Sequence, residues 1–310
     1  MNPLVSVEHF SKSYGDVRAV HDLSFSVHRG ELFGLIGPDG AGKTTTMRTL
    51  VTLLRPDDGT VTVDGMDVRT QLKSIRAITG YMPQRFSLYP DLSVKQNLHF
   101  FADLFAVPRS EVPSRMERLY RFSRLEEFSD RLAGRLSGGM KQKLALSCTL
   151  IHDPVLLVLD EPTTGVDPVS RSEFWEILRE LREQGVTIIV STPYMDEAMK
   201  CDRIVIMHGG EALAHGTPDE LIESMQYPMY ALDERDFVMN FSHIEATEGV
   251  RSVQSFGDSL HITTDEEIDE NQLAMHLQQA VERPVQLRRI SPSLEDVFIA
   301  LIEEGKAHAA

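Results

Sequence analysis

The chain has 310 residues, 25% of them charged, and a formal net charge of −16. So acidic a chain repels a phosphate backbone, and Arg283, Arg288 and Arg289 stand dispersed among acids, so nucleic acid is set aside as a partner. Two cysteines, Cys148 and Cys201, have neither paired spacing nor a ligand cluster, which argues against a disulfide framework or a zinc site.

At the N-terminus, Met1-Asn2-Pro3-Leu4 shows no basic leader or apolar stretch, so no signal peptide is read. Apolar runs such as Val155 to Leu159 fall far short of the ~18 residues a membrane span needs. A cytosolic protein that docks on a membrane partner is compatible with both observations. Residues 4–10 and 19–27 read as two strands around a Tyr14-Gly15-Asp16 turn. Glu31 to Ile36 is a short apolar strand. It feeds Gly37, Pro38, Asp39, Gly40, Ala41, Gly42, Lys43, Thr44 and Thr45, after which a helix runs from about Lys43 to Leu54. A strand before and a helix after are the context in which such a loop wraps phosphate oxygens with backbone N–H groups. Lys43 then supplies a point charge to the β- and γ-phosphates, and the Thr44 hydroxyl suits Mg²⁺.

Thr60–Val63 and Thr79–Met82 read as strands, and residues 88 to about 134 turn helical. Val94, Leu98, Phe101 and Phe105 fall on one helical face, as internal core or as a groove for a membrane subunit. Leu136-Ser137-Gly138-Gly139-Met140-Lys141-Gln142 precedes an apolar strand, Leu156 to Leu159, that ends in Asp160 and Glu161. Carboxylates at the C-terminal edge of such a strand lie where α/β folds place ligands. Asp160 would hold Mg²⁺ through water, and Glu161 would polarise the attacking water. A helix opened by Asp167-Pro168 carries Phe174, Ile177, Leu178 and Leu181 as its apolar stripe, with Gly185 at its C-cap and a strand at Val186–Ser191 following. Strands alternating with helices predict an α/β core with a largely parallel sheet.

Around Gln226-Tyr227-Pro228 the pattern changes. A hairpin at Val250–Thr264 turning at Gly257-Asp258, a helix near Glu267–Val281, a strand at Val285–Ile290 and a last helix with Ser293 as N-cap and Leu294, Val297, Phe298 and Leu301 as its stripe make a small α+β appendage.

With loop, Leu-Ser-Gly-Gly segment and acidic strand in this order, the chain resembles ATP-binding cassette (ABC) transporter ATPase subunits over about residues 4–225. The resemblance implies a P-loop NTPase core of ABC type with an N-terminal antiparallel β subdomain and a helical signature subdomain at about 88–150. Residues 1–226 would form the ATP-binding domain and 227–310 the α+β accessory domain. It also implies ATP and Mg²⁺ as cofactors. Tyr14 looks like the aromatic that stacks on adenine, and Gln84 like the glutamine that senses Mg²⁺ and contacts the membrane subunit. Ser137, Gly138 and Gly139 look like the segment that binds the γ-phosphate held by an opposite subunit, and Asp167 like part of the loop crossing that interface. Glu161 to Pro168 and the tail Ser291 to Phe298 are similar to export-type members, drug exporters among them.

Two positions depart from the family pattern. Asp39 stands where the family usually has Asn. Pro193, in Ser191-Thr192-Pro193-Tyr194-Met195-Asp196-Glu197-Ala198, stands where it has a switch histidine. Proline has no side-chain donor and no backbone N–H, and His152 and His208 are read as structural or solvated rather than as replacements. The leading expectation is the ATP-hydrolysing subunit of an exporter, working as a homodimer or heterodimer with another ABC ATPase chain beneath a separate integral membrane permease, on the inner face of the membrane. The alternative is a hydrolysis-impaired subunit that binds ATP and supports a competent partner. A cassette acting in translation or DNA repair is a third class, disfavoured by the acidic charge and the uninterrupted single cassette.

Overall fold

The computed structural model describes residues 2–85, 87–232, 241–256, 259–265 and 268–309, with side chains of the last helix described to Glu303. The chain divides into two compact units, Met1–Pro218 and Asp219–Ala310, ahead of the change of character at Gln226.

In the first unit β1 (Val5–Tyr14) and β2 (Val17–Val27) form a hairpin that extends beyond the expected strands on both sides of a tight Gly15 turn, φ 59°. After β3 (Leu32–Ile36) comes α1 (Lys43–Leu50), shorter than the expected 43–54 because the backbone turns left-handed at Thr52, φ 62°. There the N–H groups of Leu53 and Leu54 close back on Arg48 O. Next come β4 (Asp58–Val63), β5 (Met66–Asp67), α2 (Leu72–Ile78) and β6 (Thr79–Met82). The helical stretch holds α3 (Val94–Leu104), α4 (Val112–Ser123) and α5 (Gly138–Leu150). Ser93 and Gln96 form a reciprocal capping box at the start of α3. Its buried face is Val94, Asn97, Leu98 and Ala102, so the expected stripe divides: Val94 and Leu98 are core, whereas Phe101 and Phe105 are only half-buried. The unit closes with β7 (Leu156–Asp160), α6 (Pro168–Glu183), β8 (Thr187–Thr192), α7 (Met195–Ala198), β9 (Arg203–His208) and β10 (Glu211–Gly216). His208 therefore ends a strand rather than sitting in the turn after it.

These strands make two sheets. One, in the order β2-β1-β4-β5, is antiparallel; the other, β10-β9-β3-β8-β7-β6, is parallel except for β10. Every residue of β3, β7 and β8 is buried, which is why their sequences run apolar without alternation. Phe10, Leu23 and Val63 of the antiparallel sheet share one core with Phe33 and Val158 of the parallel one and Met47 of α1. Ile36 and Asp160 end the two parallel strands that flank β8, at the same edge, with Thr192 of β8 between them.

In the second unit α8 (Pro218–Glu223) leads to β11 (Met229–Leu232), α9 (Phe241–Glu245), β12 (Val250–Phe256), β13 (Ser259–Thr264), α10 (Glu270–Val281), β14 (Leu287–Ile290) and α11 (Leu294–Ala309). The sheet order is β12-β13-β11-β14, antiparallel throughout. Tyr230, Leu232, Val253, Leu260 and Ile262 pack on Ile244, Leu273 and Leu277 of α9 and α10, an independent core. The turn residues Gly257 and Asp258, and Glu267 of the expected helix, lie outside the described residues. The helix itself begins at Glu270, where the Asp269 side chain caps it and Gln272 caps in return. Ser293 caps α11 as expected, its Oγ accepting from Asp296 N at 3.3 Å, while Asp296 accepts from Ser293 N at 2.7 Å.

Candidate functional site

The glycine loop leaves β3 and enters α1 through two backbone conformations that a side chain resists. Gly37 has φ 155°, and a Cβ there would lie 2.2 Å from Met207 O; Gly42 has φ 99°, with its Cβ position 2.6 Å from Ala19 O. The loop is thus wedged between β9 and β2, and the free N–H groups of the first turn of α1 open into a cleft of about 630 Å³. Asp39, Gly40, Lys43, Thr44, Gln84 and Glu161 line it. Arg18, which belongs to none of the motifs above, lines it as well.

Lys43 is buried, its ammonium donating to the carbonyls of Gly37 at 2.6 Å and Pro38 at 2.9 Å and lying 3.1 Å from Glu161 Oε1. Glu161 Oε2 accepts from Gln84 Nε2 at 2.8 Å and from Thr164 Oγ1 at 3.3 Å. Asp160 is fully buried; its Oδ1 accepts from Thr44 Oγ1 at 3.0 Å and Ser191 Oγ at 2.9 Å, and its Oδ2 from Tyr81 Oη at 3.4 Å. Burial pushes the Asp160 carboxyl above the usual carboxylate range, against the two hydroxyl bonds that favour its charged form. Burial, with the Asp160 charge beside it, likewise raises the Tyr81 phenol to about 12, so it stays a donor.

Ser191 ties the Asp160 carboxylate and the Glu161 backbone to β8, since its Oγ also accepts from Glu161 N at 3.0 Å. Glu161 needs that tie: its φ of 47° lies in the left-handed region, which a residue with a Cβ occupies at a cost.

The remaining expected residues lie elsewhere. Tyr14, 48% exposed, ends β1, where Asp57 accepts from Lys12 Nζ at 2.5 Å and from Ser13 N at 2.7 Å. Those bonds, Lys12's the stronger, hold the Asp57 carboxyl below its ordinary range. Pro193 is half-buried just beyond β8 and is not among the residues lining the cleft. Ser137 is the N-cap of α5, accepting from Met140 N at 3.3 Å, with exposed Gly138 and buried Gly139 following. Asp167 is the N-cap of α6, accepting from Ser170 N at 2.9 Å, and this bond lowers its carboxyl. A Cβ on Gly139 would fall 2.4 Å from Ser170 Oγ, so the first turns of α5 and α6 touch. None of Ser137, Gly138, Gly139 and Asp167 lines the Lys43 cleft.

A parallel sheet whose glycine loop feeds a helix beside two strand-end carboxylates defines a P-loop nucleotide-binding protein. Residues 20–164 match the family described as ABC transporter, and residues 216–302 match "ATP-binding protein DrrA1-3-like, C-terminal domain". Over 297 residues the chain is 40% identical to the "Probable multidrug ABC transporter ATP-binding protein YbhF" of Escherichia coli (strain K12), an alignment covering 93% of this chain and 50% of that protein. The chain thus spans half the length of that relative. It is 44% identical over 221 residues to the "Nod factor export ATP-binding protein I" of Ralstonia nicotianae, covering 71% of this chain and 69% of the relative. With the protein of the same name from Rhizobium etli it shares 39% over 298 residues, covering 94% and 90%. Among solved structures, cbiO1 from Clostridium perfringens, described as part of the ABC transporter complex cbiONQ, matches with a TM-score of 0.67 at 28% identity, over 72% of this chain and 92% of that one. The ATP-binding cassette MJ0796, solved as a dimer bound to ADP and Pi, matches with a TM-score of 0.63 at 26% identity, over 69% and 98%. The chain belongs to the ABC transporter ATP-binding family. Among the described residues no helix is long and apolar enough to cross a membrane.

Proposed function

We propose that the chain binds and hydrolyses ATP to drive an export transporter whose membrane-spanning permease is a separate protein. The observation that carries this reading is the meeting of Lys43, Thr44, Gln84, Asp160 and Glu161 at one edge of the sheet, from three separate stretches of chain. Lys43 and the first N–H groups of α1 receive the phosphates. Glu161 orients and deprotonates the attacking water while Gln84 fixes its carboxylate. Tyr14, exposed at the end of β1 and three residues before the cleft-lining Val17, offers a ring for adenine.

The donor set fits Mg²⁺: a buried carboxylate destabilised by desolvation and a hydroxyl already bonded to it, with phosphate oxygens and water left to complete the shell. When bound, the ion neutralises charge developing on the phosphates. Ser137, Gly138, Gly139 and Asp167 stand away from the Lys43 cleft, which supports a dimer in which they serve the partner's nucleotide. Export and the paired permease are supported by the names of the relatives, drug and Nod factor export proteins among them.

ATP hydrolysis by the purified chain, abolished by Lys43→Ala, tests the reading; a Lys43→Ala protein as active as the wild type would overturn it. Pro193 favours a second reading, a site that binds ATP and turns it over slowly. Pro193→His then raises the rate, and an unchanged rate in the assembled complex would remove that reading.

A further inference from the structure

One buried carboxylate has no part in the site described above. Glu197, in α7, is fully buried, and a buried carboxylate persists only where it is paired and hydrogen-bonded. Its two oxygens face two different segments. Oε1 accepts from Thr163 Oγ1 at 2.6 Å, and Oε2 accepts from Thr192 Oγ1 at 2.5 Å. Arg171 brings the opposite charge, its Nε 3.6 Å from Oε1, while its guanidinium lies 4.4 Å over the Tyr194 ring.

The three partners frame the acidic edge. Thr163 lies in the turn between Glu161 and Asp167, a turn closed by Val166 N donating to Thr163 O at 3.1 Å. Thr192 ends β8 and also accepts from Tyr194 N at 3.1 Å, bracketing Pro193. Arg171 sits one turn into α6, its N–H donating to Asp167 O at 2.9 Å. We infer that Glu197 is a positioning residue for hydrolysis: it bolts the Glu161–Asp167 turn to the Thr192–Tyr194 segment and so fixes the backbone from which the Glu161 carboxylate projects. The left-handed φ of Glu161 is the reason a bolt is needed, because such a conformation persists only where the surroundings over-determine it. Ser191 Oγ holds the residue's own N–H, and the Thr163–Glu197–Thr192 bridge holds the chain that follows. Proline at 193 has no donor to add, so the fixed points of that segment are its neighbours, Thr192 and Tyr194.

This inference rests on the reading of the site as a hydrolytic one. Its test compares full-length wild type with Glu197→Gln, Thr163→Val, Thr192→Val and the double threonine variant, in Mg-ATP hydrolysis and thermal unfolding. We expect kcat to fall on the order of 10- to 100-fold in each single variant, as for a small displacement of a catalytic group. KM for ATP should stay within about twofold, because Lys43 and α1 are untouched. One carboxylate joins both threonines, so the double variant should be no slower than the slower single one. If Glu197→Gln does not fold, the threonine variants decide. Threonine variants with a lowered Tm but wild-type kcat per folded molecule would make Glu197 merely structural and overturn the inference, as would multiplicative losses in the double variant. A wild type that hydrolyses no ATP overturns the hydrolytic reading and this one together, whereas an active wild type with equally active variants overturns only this one.

Discussion

Asp160 is held at a cost as long as no cation faces it. Because burial raises its carboxyl in the folded chain, its contribution to stability is greatest below the ordinary value of 3.8 and is lost as pH rises through the higher folded value. At neutral pH Asp160→Asn, which keeps the shape and one acceptor for Thr44 and Ser191, should therefore raise the Tm of the nucleotide-free protein, by roughly 2–4 °C for each kcal/mol recovered. The same change should abolish the Mg²⁺ dependence of ATP-induced stabilisation; a lower Tm for Asp160→Asn would contradict the account. Lys43 and Glu161 compete differently. Their 3.1 Å contact must loosen before the ammonium can turn to phosphate, so Glu161→Gln should tighten ATP binding, measured by calorimetry, as well as stop turnover. For Pro193 the expected effect of histidine is a gain of up to ~10²–10³ in rate, the range of one preorganised donor.

Elements set what a local string can reveal. Gly37 to Thr44 and Leu156 to Glu161 were legible because each carries its chemistry within one strand and its adjoining loop. Tyr81, Ser191, Thr163 and Glu197 were not. They are single polar residues in buried segments, and their partners lie between 5 and 79 positions away along the chain. Only the pairing of β7 with β8 and β6 brings them to the carboxylates. The stripe on α3 was legible as a helical face but not in its extent, because Ala102 faces the core where Phe101 was expected to.

At the junction between α3 and the parallel sheet, His152 stacks face to face on Phe105 with ring centroids 3.8 Å apart. Burial lowers its imidazole from 6.5, outweighing a backbone contact with Thr79 and the Asp153 carboxylate. Its contribution is complete above pH 6.5 and is lost as pH falls toward the lower folded value, where only the unfolded chain accepts the proton. His152→Phe, which keeps a ring on Phe105, should flatten that acid limb of the stability curve; an unaltered limb would assign it to other groups.

For the molecule as a whole, the two units with separate cores predict unfolding that is not two-state. The nucleotide cleft lies entirely in Met1–Pro218, so saturating Mg-ATP at 100 times Kd should stabilise that unit by about 2.7 kcal/mol. In calorimetry of the full chain one transition should shift upward and the other stay in place; a uniform shift of both would refute this assignment. The α+β character of the second unit could be read from its alternating strands and its two capped helices, but its task could not, since Tyr230, Ile262 and Leu273 pack its core and carry no motif that points to a ligand.

The absent methyl at Gly139 reaches further than its own turn. Because the start of α5 lies against Ser170, the caps Ser137 and Asp167 open two helices whose first turns are packed together. Gly139→Ala would pry them apart at a cost of about 1–3 kcal/mol, relieved by adding Ser170→Gly, and denaturant midpoints would show both effects. A partner that used both caps, as in the proposed dimer, would meet Ser137 and Asp167 already brought together by this packing. The entropy of aligning the two caps would then be lost in folding rather than at encounter, so such recognition would be one event where two hinged segments require two.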